Sequence, residues 1–475
     1  MNTPTISFPN EVWMRVFSYI LDTASLRAVV LTSRRFRNLG MDELLHTLVW
    51  KTGEKAGNNL EFWEDNADLV YIPTSLSISV NSRHDSGAIA YPRILNQVSW
   101  FHNLGTLSLS NGFLPPVFYH VLLSLPNLTH LKLHSCHVPD APAHFPFSFP
   151  SFWDKDADDI AIRVTHLSIR NVLRYPTAFD PMAPPNPHSQ IDLFNFLPAL
   201  VSLTLEHLPT VGIPVLQQLT SLTLLPTHSP EHTVTQLNEY LPFTSNLLHL
   251  KIGAPATQAM REAPPPIVPT VPLLETFVGP EFAALSILGG SPALVSLTVN
   301  SPLAKMQDAL DLIEQTNPLT LRALELNLVE WDDEIILAIT HRLLACRSAK
   351  VTFRFSEPSE DFLFNLGVEH LPLLTQLHTL HVHARAEEPK RGVPLASDPD
   401  DEYYLGQDEI VFPGRVRAPK ETRVVAVAPA EDACAEALAA WTRYNKELSS
   451  VRFVSGREWR RRKGKGRWGV ERVGE

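Results

Sequence analysis

LTHLKLHSC, residues 128–136, sets apolar residues at Leu128, Leu131 and Leu133 with polar residues between them. Two apolar residues one place apart describe a strand with a single inward face, because side chains alternate along an extended chain. The leading apolar residue, three places earlier, packs beneath that strand. Outward from here the phrase returns as LGTLSL (104–109), VTHLSI (164–169), LVSLTL (200–205), LTSLTL (219–224), LLHLKI (247–252), LVSLTV (294–299), LRALEL (321–326) and LHTLHV (377–382). Weaker copies are SLSI (75–78), LETF (274–277), AKVTF (349–353) and LSSVRF (448–453).

One such unit cannot bury its own face, so the copies are expected to stack and share a core. The phrase resembles the L-x-x-L-x-L core of a leucine-rich repeat, and Cys136 stands where the longer consensus carries an Asn or Cys. What the resemblance implies is an α/β solenoid: parallel strands, helices on the outer side, and a concave strand face. Apolar-periodic segments at 116–126, 332–346 and 359–371 read as the connecting helices. A sandwich of alternating strands is the alternative fold, and these helical segments disfavour it. Proline-rich stretches at 138–152, 175–189 and 263–272 read as irregular loops, and the acidic stretch 385–428 as a long polar insertion. Pro429 and Ala430 open a helix, LSSVRF supplies a last strand, and Trp459 and Trp468 flank a terminal hairpin turning at Gly464 to Gly466 that caps the array.

Residues 7–50 follow a different pattern. Pro9 and Glu11 suit a first helical turn, and Val12, Trp13, Val16, Phe17, Ile20 and Leu21 cover more than one stripe of that helix. Asp22 or Thr23 can cap a second helix carrying Leu26, Val29, Val30 and Leu31, and a third short helix is expected to hold Leu44, Leu45, Leu48 and Trp50. Three helices of this length bury a marginal core, so the surplus apolar face calls for a neighbour. Phe8-Pro9-x-Glu11-Val12, then Val16-Phe17-x-x-Ile20, Leu26, Leu31 and Ser33-Arg34-Arg35-Phe36 resemble the F-box pattern. Phe8 replaces its usual Leu, Phe36 its usual Trp, and Thr32-Ser33 its Val-Cys.

The resemblance implies docking on a Skp-type adaptor through Phe8, Pro9, Val12, Val16, Phe17, Ile20, Leu26 and Phe36. With it comes the expectation of a substrate receptor for a cullin-type ubiquitin ligase, with an unidentified target protein on the repeats. The alternative is a non-enzymatic leucine-rich-repeat scaffold or inhibitor whose first helices only cap the solenoid. That reading requires Trp13, Val16 and Phe17 to be covered by residues after 50. The expected division is therefore a helical domain (1–50), a linker (51–72), the repeats (73–384), the insertion (385–428) and the terminal repeat with its hairpin (429–475).

The net charge of −11 gives no general reason to expect nucleic acid or an anionic membrane as partner. No run approaches the roughly 18 uninterrupted apolar residues of a membrane span, and the opening lacks a basic region before an apolar run, so cytoplasmic or nuclear residence is expected. Cys136, Cys346 and Cys434 lie too far apart in sequence to mark a disulfide framework or a zinc knuckle. No cofactor or catalytic residue is expected. Gly464-x-Gly466-x-x-Gly469 has too little chain after it for a nucleotide fold, Asp154-x-Asp156-x-Asp158 lacks the glycine and glutamate of a calcium loop, and proline follows the serine in Gly289-Gly290-Ser291-Pro292. The basic run 460–467 reads as a solvated hairpin face. Strand alternation places His130, Lys132, His166, Ser168, Arg170, Thr204, Lys251, Thr298, Glu325, Thr352 and His381 on the concave face as candidate target contacts. His134 and His383 share that face, and neither histidine pair has a third ligand at a metal spacing.

Overall fold

The computed structural model describes residues 8–20, 22–79, 87–139, 162–175, 197–206, 216–225, 237–238, 240–253, 271–288, 293–356, 358–384, 438, 441, 443, 445–454, 457–461 and 468–472. Two compact units divide the chain, Met1–Ser291 and Pro292–Glu475. Among the described residues no helix is long and apolar enough to cross a membrane. The insertion 385–428, the glycines 464–466, the triad Asp154, Asp156, Asp158, the turn 289–292, Cys434 and most of the proline-rich stretches lie outside the described residues.

The first unit begins with helices α1 (Asn10–Ser18), α2 (Thr23–Val30) and α3 (Arg34–His46). Pro9 is the cap residue before α1, where its missing N–H costs nothing, and its carbonyl accepts from Val12 and Trp13. Asp22 caps α2 by accepting from the Ala24 and Ser25 amides, at 3.3 and 2.8 Å, and Ser33 caps α3 by accepting from Phe36 N–H at 3.1 Å. The Ser25 hydroxyl and these amides hold the Asp22 carboxyl below its ordinary range.

The third helix differs from its expected span. It ends at His46, and Thr47–Trp50 forms strand β1, with Leu48 and Trp50 turned inward. The reason is legible in LHTLVW (45–50), itself a copy of the repeat phrase, whose β-branched Thr47 and Val49 favour an extended chain. Nor are residues 51–72 a linker: helix α4 (Gly53–Asp65) buries Ala56, Leu60 and Trp63, and Trp63 packs on Phe101 at 5.0 Å.

Every copy of the phrase in this unit becomes a strand. β2 (Ser75–Ser79), β3 (Thr106–Ser110), β4 (His130–His134), β6 (His166–Arg170), β8 (Ser202–Leu205), β9 (Ser221–Leu224), β10 (His249–Ile252) and β11 (Thr276–Gly279) follow β1 in one parallel sheet, while β5 (His137–Pro139) and β7 (Leu173–Tyr175) pair in a small separate one. The register is constant. Leu76, Leu107, Leu131, Leu167, Leu203, Leu222, Leu250 and Phe277 form one unbroken inward row, all buried. The leading Leu104, Leu128, Val164, Leu200, Leu219, Leu247 and Leu274 are buried beneath it. Truncating one such leucine to alanine costs about 2–5 kcal/mol. Each repeat also begins on its predecessor's backbone: Thr129 and His130 N–H share the Gly105 carbonyl, and Thr165 and His166 share that of Thr129. Asn111, Ser135 and Asn171, each directly after a strand, take positive φ (58°, 51° and 47°), so the chain turns at the same place in successive repeats.

The second unit repeats the pattern with β12 (Ser296–Val299), β13 (Ala323–Asn327), β14 (Ser348–Phe353), β15 (Thr379–Ala384) and β16 (Ser450–Val454), all parallel. Between them run the helices Met306–Gln315, Asp333–Arg342 and Glu360–Asn365, so the segments expected at 332–346 and 359–371 are helical in part. Then the direction reverses: β17 (Arg457–Arg461) and β18 (Trp468–Arg472) are antiparallel, with Val451 opposite Trp459 and Arg461 opposite Trp468.

Candidate functional site

Helices α1–α3 close a core of their own. Phe17, Leu26 and Val30 are buried, and Trp13, Ile20, Val29, Phe36, Leu39, Met41 and Leu44 pack around them. Trp13 and Phe36 rings approach to 4.6 Å, and Phe17 meets Phe36 edge-on at 5.5 Å. The expected adaptor contacts therefore separate into two groups. Phe8, Val12 and Val16 are 51%, 43% and 42% exposed, and Pro9 is exposed beside them. Phe17 and Leu26, by contrast, are 1% and 4% exposed; they hold the helices together and offer nothing to a partner. Ile20 and Phe36 are half-buried against the same core. Helical periodicity alone could not separate these groups, because α1 is apolar over more than one stripe. Val16 is not covered, and the residues named in the Phe17 core all precede residue 50.

Arg35 positions the exposed group. Its guanidinium donates to the Phe8 carbonyl at 2.6 Å and to Asn10 Oδ1 at 2.8 Å, pinning the start of α1 onto α3. Met14 and Leu31 are exposed as well.

The outward rows of the first unit's sheet hold the other candidates. His130 lies in register with His166, Lys132 with Ser168 and His134 with Arg170; Thr204 and Thr223 continue the middle row to Lys251. His130 and His166 stack with ring centroids 4.2 Å apart and planes 10° from parallel. Burial, then the neighbouring His166 and Lys132, push the His130 pKa down. Among the described residues no group of three His, Cys, Asp or Glu side chains is arranged to hold a metal ion.

In the second unit Thr298, Glu325, Lys350 and His381 share one outward row, and Thr352 and His383 the next. These charges are satisfied internally. Lys350 Nζ lies 2.5 Å from Glu325 Oε1, and the largely buried Glu458 takes Arg460 at 2.7 Å, which holds its carboxyl below the ordinary range. His381 Nε2 reaches Ser450 Oγ at 3.2 Å, while that hydroxyl donates to Glu458 at 2.5 Å. The Ser450 hydroxyl thus donates to the Glu458 carboxylate, and the imidazole lies beside its oxygen. His383 is nearly enclosed, a departure from its expected place on an open face; its Nδ1–H donates to the Ala384 carbonyl at 2.9 Å and burial pulls its pKa down to about 4.

One positional signal escaped the pattern reading. Asn103, Asn127 and Asn246, each just before a leading leucine, donate their amides to the carbonyls of Tyr71, His102 and Gln217 in the preceding repeat.

Residues 6–49 match the family model of the F-box-like domain. A search of curated proteins finds no match to the chain. Among solved structures, similarity is found to a plant peptide hormone receptor, RGFR1, in complex with RGF2, at 11% identity and a TM-score of 0.23, covering 73% of this chain and 57% of that one. The leucine-rich repeat domain of APL1B is similar at 14% identity and a TM-score of 0.23, covering 69% of this chain and 86% of that one. The chain thus spans little more than half of the receptor, and likeness at these scores says nothing of what it binds.

Proposed function

We propose that the chain is the substrate-receptor subunit of a cullin-type ubiquitin ligase, seated on a Skp-type adaptor by α1–α3 and holding a target protein on its repeats. The observation that carries this is the exposed set Phe8, Pro9, Val12 and Val16 on helices whose core is filled from within by Phe17, Leu26 and Val30. Helices serving only as a cap would turn those side chains onto the repeats. An apolar set that a folded module leaves in water fits a partner's groove. The F-box-like match over residues 6–49 supports the same reading. We further read the strand array as an irregular leucine-rich-repeat solenoid, β17 and β18 as its terminal cap, and the outward rows as its target-binding face.

The chain makes and breaks no bond in this role; it raises the effective concentration of the target beside the transfer machinery. The full chain is expected to capture purified Skp-type adaptor, and Pro9→Ala with Val16→Asp to abolish capture while thermal unfolding stays unchanged. Capture by the folded double variant at wild-type strength would refute the interface.

A further inference from the structure

The outward cations differ in their partners: Arg452 of the second unit, in register with His381, has no carboxylate at ion-pairing distance among the described residues, but two other cations there do. In the second unit Lys350 has Glu325 and Arg460 has Glu458, so those cations are neutralised by the chain itself. In the first unit Lys132, Arg170 and Lys251 have no carboxylate at ion-pairing distance among the described residues. Glu206, directly after β8, accepts from the Asn171 amide. Beside these cations, Ser108 and Ser168 flank Lys132, while His134 lies between Arg170 and Ser110, whose hydroxyl donates to the Ile78 carbonyl. The array is rigid, because every one of these residues sits on a hydrogen-bonded strand in fixed register.

We infer that this face, centred on Lys132 and Arg170, holds an extended acidic segment of a partner protein, with aspartate or glutamate carboxylates on the cations and serine hydroxyls beside them. This rests on the reading of the repeats as a target-binding face. Same-side residues of an extended peptide recur about every 6.6–6.8 Å, which is also the separation of Lys132 from His134 along β4. Alternate carboxylates of one peptide therefore meet the Lys132 row and the His134–Arg170 row in turn. A nucleic acid is the poorer fit. Its affinity would rest on base stacking as well as phosphate contact, and the aromatic rings here, His130 and His166, are already stacked on each other. The whole-chain charge of −11 also opposes a long polyanion more than a short acidic segment.

The test uses the full chain and a fluorescein-labelled peptide of alternating glutamate and serine, followed by anisotropy, beside a lysine–serine peptide and a single-stranded oligonucleotide. The acidic peptide is expected to bind, the lysine peptide not to, and Lys132→Gln with Arg170→Gln to weaken binding about tenfold, since each exposed ion pair is worth up to about fivefold. Raising salt from about 0.05 to 0.3 M is expected to weaken wild type more than the double variant. Lys350→Gln, whose cation already has a partner, is expected to leave affinity unchanged. No binding, equal binding by the double variant, or tighter binding of the oligonucleotide to the same residues would overturn the assignment. An unchanged thermal unfolding profile checks that the double variant is folded, and Val16→Asp is expected to bind the peptide normally. Failure of this face and failure of the adaptor interface are thus separate results.

Discussion

A methyl group placed on Gly40 would stand 2.6 Å from Val30 Cγ2 and 3.4 Å from the Phe17 ring. Helix α3 thus lies against α2 and α1 at a distance only a glycine permits, and Val30, β-branched and stiff in a helix, has little room to yield. Gly40→Ala gains about 1 kcal/mol of helix propensity but incurs about 1–3 kcal/mol of overpacking. The second term wins. Amide exchange over residues 10–46 is expected to quicken severalfold while residues 293–356 keep their protection. An unchanged rate in α1–α3 would mean that the helices part easily and that the core does not fix the exposed set.

Asn445 in the second unit is buried and makes three side-chain bonds: its amide donates to the Leu374 carbonyl at 2.7 Å, and its carbonyl accepts from Glu447 and Leu448 N–H at 3.0 and 3.1 Å. Asn445→Ala strands three backbone groups, at a cost of about 2–4 kcal/mol. Asn103→Ala breaks one comparable bond where water can replace it, and is expected to cost under about 1 kcal/mol. Urea midpoints of the two variants measure the difference; equal losses would refute the burial argument.

His383 is the titrating group with the clearest consequence for stability. Burial first, then Arg452, His381 and Lys350, hold its folded pKa at about 4 against an ordinary value of 6.5. Between those two values the unfolded chain binds a proton that the folded chain refuses, so stability falls as pH drops from 6.5 towards 4. His383→Leu removes this term but loses the bond to the Ala384 carbonyl. The variant is therefore expected to be less stable than wild type at pH 7.5 and to close that gap by pH 5. A gap of the same size at both values, from urea melts, would show that His383 takes up its proton in the folded state.

The strands were legible because their signal is local. An inward pair such as Leu131 and Leu133 needs only alternation, and each copy of the phrase in the described residues lies on a strand. LHTLVW is masked because it follows directly on an amphipathic helix, and its apolar residues continue that helix's pattern. Residues 51–72 looked like a linker because Ala56, Leu60 and Trp63 are a sparse stripe in a polar stretch, and only the packing of Trp63 on Phe101 shows its use. Among the adaptor candidates, sequence could not distinguish Val16 from Phe17. Both are apolar and adjacent, and which of them faces Leu26 depends on the crossing of α1 with α2 and α3, a tertiary fact. Arg35 belongs to the Ser33–Phe36 pattern, yet its grip on Phe8 and Asn10 spans 27 and 25 residues and has no periodic trace.

The spacing of neighbouring strands bears on how the chain is made. Strands in the first unit's array connect to the repeat before them over separations such as 19, 24 and 36 residues, so each can dock soon after it leaves the ribosome. At β15 that order breaks, because Ser449, which leads into the next parallel strand, bonds to His378 across 71 residues. At synthesis rates of roughly 5–20 residues per second, the edge of β15 stays open for about 4–14 s. During that interval the backbone groups of β15 that later meet β16, beginning with the His378 carbonyl, are a free β-edge, and a chaperone or a second nascent chain can reach it.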